Sequence, residues 1–446
     1  MVGGPRRLRG DTRTGPRRAG GTALAASAGR GAGGGVTTLR PGPSATPRAA
    51  AHLVRLLLAT GPAALGWGAA APVAVAARRD RDAVALIRGA ERLTAGALAE
   101  RVRERAAELA VQHSPGTRLG VELDGGIPGL VELLAAVVAG CDVVPLGPRL
   151  APEERAAHAD PVVGAPRRGP GRVRTLSSGT TGVPRPGAGR LGIRRLLQLA
   201  DLDRRIAPPD GALLVLAPPD HGHGLSAVLA GLAHGRPVVL GSGLPLEEQR
   251  ALLAETPATV TGVPAQLARL DAPGAWRGVR LVVSGSSRLD AGLAERMRAE
   301  GARVLDAYGT TEAGTVALDG RPLAGCRIRL AADGAIVLRS PGARGWRHPG
   351  DRGELVEGRL RVLGRTDGRL DHGGELVDPA RTAAVLRAIP GVRRVRVEAE
   401  PHELLGHVLT AELHVDPSAG LDADRIRSLA EPRLDAAHRP RRLTLR

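Results

Sequence analysis

The 446-residue chain has no phenylalanine, one tyrosine and three tryptophans. Its aromatic side chains are Tyr308, Trp67, Trp276 and Trp346. This excludes a core built on stacked rings and leaves any ligand pocket poor in stacking platforms. Lysine and asparagine are also absent, so all 63 residues counted as Lys or Arg are arginine. Such avoidance of AT-rich codons points to a GC-rich coding sequence, which weakens the basic balance as a sign of nucleic-acid binding. The two cysteines, Cys141 and Cys326, lie in apolar or Gly-flanked contexts. They make neither a disulfide framework nor a zinc site and read as buried thiols. No apolar run reaches the ~18 residues a membrane-spanning helix needs. The Ala-rich stretch Leu53–Ala77 is broken by Arg55, Pro62 and Pro72 and does not read as a signal peptide. A cytoplasmic location is expected.

What is present suits a large globular protein. The apolar 43% is mostly Ala, Leu and Val, and the length allows two to four domains with an aliphatic core. The net charge of +18 is uneven, because residues 1–50 hold nine arginines against one aspartate. With its Gly, Pro, Ser and Thr, that stretch reads as a disordered basic tail rather than a nucleic-acid arm.

Order is expected to begin with a helix near His52–Thr60. Strand, helix and strand patterns then recur. RLGVEL, GLVELLAAVVAG and DVVPL form one unit. ALLVLA, a helix from Leu225 to His234 and PVVLG form another. ATVTGV, a helix near Ala265–Leu270 and VRLVVSG form a third, and a helix over Asp290–Glu300 leads into ARVLDAYG. Thr94 is placed to cap the helix that follows it. This alternation predicts parallel-rich sheets layered with helices. From Cys326 the texture changes to a small β-meander subdomain. After Arg365 comes a small α+β lid with a hairpin, a helix over Pro379–Ile389, two strands and a final helix over Ala423–Ala437. The predicted organisation is therefore a tail (1–50), a large N-terminal α/β domain (51–364) and a small C-terminal domain (365–446).

The segment Thr175–Arg185, TLSSGTTGVPR, gathers Ser177, Ser178, Gly179, Thr180, Thr181 and Gly182 ahead of Arg185. Backbone N–H groups and hydroxyls at that density can wrap phosphate oxygens, and Arg185 can add a charge-assisted contact. The spacing is not that of the GxxxxGK[ST] loop.

SSGTTGVPR resembles the phosphate-binding signature of the adenylate-forming superfamily, the AMP-dependent acyl-CoA synthetases and ligases. That signature usually ends in Lys where this chain has Arg185. Tyr308-Gly309-Thr310-Thr311-Glu312 matches the family's next signature. The likeness implies that Tyr308 stacks on adenine, Thr311 contacts the α-phosphate region and Glu312 holds Mg²⁺. Gly350-Asp351 is similar to the element whose Asp accepts both ribose hydroxyls. Gly364-Arg365-Thr366-Asp367 resembles the hinge, with Arg365 also reaching the ribose and Asp367 as the pivot. Gly373-Gly374 would form the turn that follows. His221 aligns with the acyl-pocket histidine, with His223 two residues on. Ser284–Ser287 resembles the loop bordering that pocket.

The resemblance implies an AMP-forming acid–thiol ligase. A carboxylic acid and ATP would give acyl-AMP, and a thiol of CoA or of an acyl carrier protein's phosphopantetheine would take the acyl group. Catalytic roles fall to Arg185, Thr311, Glu312 and His221. Two departures stand out. Asp371 occupies a usual Lys position, and no counterpart of the family's terminal Gly-Lys pair precedes Arg446, so the small domain is expected to be truncated. Losing a fixed positive charge at the α-phosphate costs on the order of 10²–10³ in rate. The competing expectation is a degenerate homologue that binds nucleotide or acyl-adenylate with little adenylation.

Overall fold

The computed structural model describes residues 38–60, 68–165, 168–177, 185–186, 193–311, 313–341 and 345–446. Its centre is a nine-stranded sheet. Six strands run parallel, in the spatial order Arg303–Thr310, Leu281–Gly285, Thr259–Gly262, Leu213–Val215, Val238–Leu240 and Val84–Arg88. Gly314–Leu318 and Arg321–Pro322 extend one edge antiparallel, and Glu91–Thr94 closes the other. The inner strands are buried throughout, as in LVVSG and TVTG, because helices cover both faces. A separate parallel pair, Arg118–Glu122 with Asp142–Leu146, packs beside the helix Ile127–Val138.

Local chemistry sets the helix ends. Thr94 caps Ala95–Gln112, its hydroxyl accepting from the Ala97 N–H at 3.2 Å. Asp290 does the same for Ala291–Ala299 through the Leu293 N–H. Each such cap is worth about 1 kcal/mol. The core is aliphatic, as the composition requires. Trp276 is the one fully buried aromatic ring among the described residues, and its indole N–H donates to Asp271 Oδ1 at 2.9 Å. Cys141 and Cys326 are both buried, and neither forms a disulfide. Among the described residues, no helix is long and apolar enough to cross a membrane.

Beyond residue 326 the meander appears as two hairpins, Arg327–Leu330 with Ile336–Arg339 and Asp351–Val356 with Arg359–Arg365. The last 80 or so residues form a five-stranded sheet carrying the helices Pro379–Arg387 and Ala423–Ala430.

Three details differ from the sequence reading. The first helix starts at Ala45, and Thr38–Leu39 pairs with Arg327–Leu330, so order reaches into the stretch expected to be tail. The final helix stops at Ala430 rather than Ala437, since Pro432 offers no N–H and disfavours helix before it. A short strand, Arg442–Leu445, adds in parallel to Gly406–Val415.

Candidate active site

Hairpin register builds the centre of the site. Asp351 and Arg365 are directly opposed at the open end of their hairpin. The Arg365 guanidinium donates through Nη1 to Asp351 Oδ1 at 2.9 Å and through Nε to Asp367 Oδ1 at 3.0 Å. It also donates to the Pro349 carbonyl at 2.9 Å. Tyr308, near the end of its strand, donates its phenol to Asp351 Oδ2 at 2.8 Å. Four of the sequence-named residues, Tyr308, Asp351, Arg365 and Asp367, thus form one connected cluster. Gly350 is required there: its φ is +83°, and a Cβ would stand 2.5 Å from Asp367 Oδ2 and 2.6 Å from Arg365 Nη2.

Burial dominates the electrostatics. It raises the Asp351 carboxyl above its usual range, and the nearby Asp367 charge adds to this against the Tyr308 and Arg365 contacts. It raises the Tyr308 phenol as well, with the Asp351 charge working in the same direction. For Asp367, burial is outweighed by the Arg365 fork, and its carboxyl falls below the usual range.

The cluster lines one wall of a cleft of about 2950 Å³. Gly309, Thr310, Thr311, His221 and His223 line it too. Thr310 turns its hydroxyl to the Ala313 N–H at 3.1 Å, and Thr311 is exposed. Ser177 pairs in antiparallel register with Arg185, so the two ends of the hydroxyl-rich loop are brought together. Ser178, Gly179, Thr180, Thr181, Gly182 and Glu312, and with Glu312 the metal assignment, lie outside the described residues.

The two histidines separate clearly. His221 sits at the N-cap position of Gly222–Ala233 without capping it, and its side chain is 48% exposed, 3.6 Å from Asp220. His223, the second residue of the helix, points inward. Its Nε2 meets Thr261 Oγ1 at 3.0 Å, and burial pushes its pKa down to about 4, opposed only in part by the Gly262 backbone. The sequence reading favoured His221. Both residues line the cleft.

The small C-terminal part closes over the cleft. Ser287 donates to Asp371 Oδ1 at 2.7 Å, and Gly373-Gly374 packs against Val263 and Ala265. Arg381 bridges Glu154 at 2.7 Å and Asp435 at 3.1 Å, and the Glu153 N–H donates to the Pro432 carbonyl at 2.9 Å. Asp371, noted as a departure from Lys, is therefore held by a hydroxyl and by the Gly374 N–H.

This architecture, with its cleft, is the α/β fold of the adenylate-forming enzymes. Superposition on o-succinylbenzoate CoA synthetase from Bacillus subtilis covers 84% of this chain and 94% of that one, with a TM-score of 0.72 at 19% identity. The AMP-binding enzyme family matches residues 175–374. The chain is 30% identical over 238 residues to 2-succinylbenzoate–CoA ligase of Salmonella typhimurium, covering 48% of this chain and 51% of that protein. It is 34% identical over 178 residues to a methyl-dioxo-octahydroindenyl propanoyl:CoA ligase of Mycobacterium tuberculosis, covering 32% and 35%. In sequence it thus spans about a third to a half of the length of these last two ligases. Its homologues are AMP-dependent acid–CoA ligases.

Proposed function

We propose that the chain is an AMP-forming acid–thiol ligase. The observation that carries this is the Tyr308–Asp351–Arg365 cluster, a carboxylate with both oxygens oriented on the wall of a large cleft. In this reading Asp351 and Arg365 take the ribose hydroxyls and Tyr308 faces adenine. The loop between the paired Ser177 and Arg185 wraps the phosphates. The carboxylate of the substrate acid attacks the α-phosphorus, pyrophosphate leaves, and a thiol of CoA or of a carrier protein then displaces AMP. Glu312 is the residue assigned to Mg²⁺, which would neutralise phosphate charge when bound. The domain boundary is placed at Gly364–Arg365, with Asp367 as the pivot on which the small domain turns.

The test is pyrophosphate release by the purified chain with ATP, Mg²⁺ and a panel of aliphatic and aryl acids, with and without CoA. Acid-dependent release that Asp351→Ala abolishes supports the ligase. Nucleotide binding without release across the panel would favour the degenerate homologue instead.

A further inference from the structure

The His223 imidazole is locked by its neighbours in a way that assigns its tautomer. Thr261 has one hydroxyl hydrogen, and it goes to the Val283 carbonyl at 3.1 Å. The contact between Thr261 Oγ1 and His223 Nε2 at 3.0 Å must then be donated by the ring. The Nε2–H tautomer leaves Nδ1 as an acceptor. The Nδ1–Cε1 edge lies over Gly285, where a Cβ would stand 3.1 Å from both atoms and would press the ring out of this seat by a few tenths of an ångström. His223 lines the cleft, as do Val283, Leu225 and Thr261. Because burial holds the pKa near 4, the ring stays uncharged around neutrality and Nδ1 keeps its lone pair.

A fixed acceptor held on a cleft wall, shielded from bulk water, is costly to leave unmatched when a ligand fills the cleft. We propose that His223 selects the acid, and that the preferred substrates are carboxylic acids with a hydroxyl on the acyl chain that donates to Nδ1. This rests on the ligase reading and goes beyond it by naming a substrate class. Sites built to hydrogen-bond a substrate hydroxyl reject the analogue lacking it far more strongly than apolar pockets reject a missing methylene.

Two readouts test it on the full chain. First, kcat/KM for pyrophosphate release is compared for straight-chain acids of equal length with and without a hydroxyl. The wild-type chain should favour the hydroxy acid about 10- to 100-fold. His223→Phe should bring that ratio to within a few-fold, and Thr261→Val, which frees the tautomer, should lower it. Second, the ¹⁵N resonance of His223 Nδ1 should move on adding the hydroxy acid and stay in place with its unsubstituted analogue. A resonance shift without pyrophosphate release would leave the selection standing and overturn the ligase. Equal turnover of both acids, or a ratio unmoved in His223→Phe, would overturn the selection and leave the ligase.

Discussion

The Tyr308 phenol donates to Asp351 Oδ2 at 2.8 Å, tying the end of a sheet strand to a hairpin more than forty residues further on. The contact joins two segments that the sequence could only name separately. It also prepares both oxygens of Asp351, since Arg365 holds the other.

Tyr308→Phe removes that donor and keeps the ring. If Asp351 serves the nucleotide, kcat/KM for ATP should fall about 3- to 10-fold, the range expected for one hydrogen bond. Steady-state kinetics at saturating acid would show it. An unchanged value would mean that Asp351 is oriented by Arg365 alone.

Asp306 gives the clearest pH signature. Burial, reinforced by Asp319, raises its pKa from 3.8 to about 6. The native state therefore binds this proton more tightly than the unfolded chain does. Its stabilising contribution is complete below about pH 4 and is lost as pH rises through about 6, on the order of 2–3 kcal/mol in all. Asp306→Asn should raise the melting temperature at pH 8 and have little effect at pH 4.5. The backbone contacts with Asp319 do not depend on the side chain changed.

Arg381 stands between two largely shielded carboxylates, Glu154 and Asp435. Burial raises the Glu154 carboxyl, Arg381 opposes this, and Asp435 adds to the rise. Arg381→Met should cost about 2–4 kcal/mol at pH 8, because Glu154 loses its cation in a shielded place. The loss should shrink toward pH 5 as Glu154 takes up a proton. Thermal unfolding at the two pH values measures the difference.

At Gly171 an added Cβ would stand 1.7 Å from the Cys141 carbonyl oxygen. That oxygen belongs to the backbone and cannot rotate aside. Gly171→Ala should therefore lower the melting temperature by several degrees, whereas Gly169→Ala, with open space around the Cβ but a φ of +92°, should show only the smaller backbone penalty.

Much of the architecture could be read in advance, because strands such as DVVPL and VRLVVSG are short, Val- and Leu-rich and follow or precede Gly. The segments that escaped are those whose shape comes from neighbours. Thr38–Leu39 is two residues long and is a strand only because Arg327–Leu330 lies beside it. Arg442–Leu445 sits in a basic stretch and gains its conformation from Gly406–Val415. The same division runs through the site. Tyr308, Asp351 and Arg365 were marked by local patterns, and hairpin register brings them together. His223 carries no pattern of its own. Its inward aim depends on helix phase and on Thr261, thirty-eight residues away.

Tyr308 is the only tyrosine in the chain, and it is buried in the cleft wall. Any phenolic absorbance or tyrosine ring resonance therefore originates from a single place, beside the carboxylate at its centre. The molecule therefore carries one native tyrosine ring resonance, distinct from its three indoles, and occupancy of the cleft can be followed by it without attaching a label.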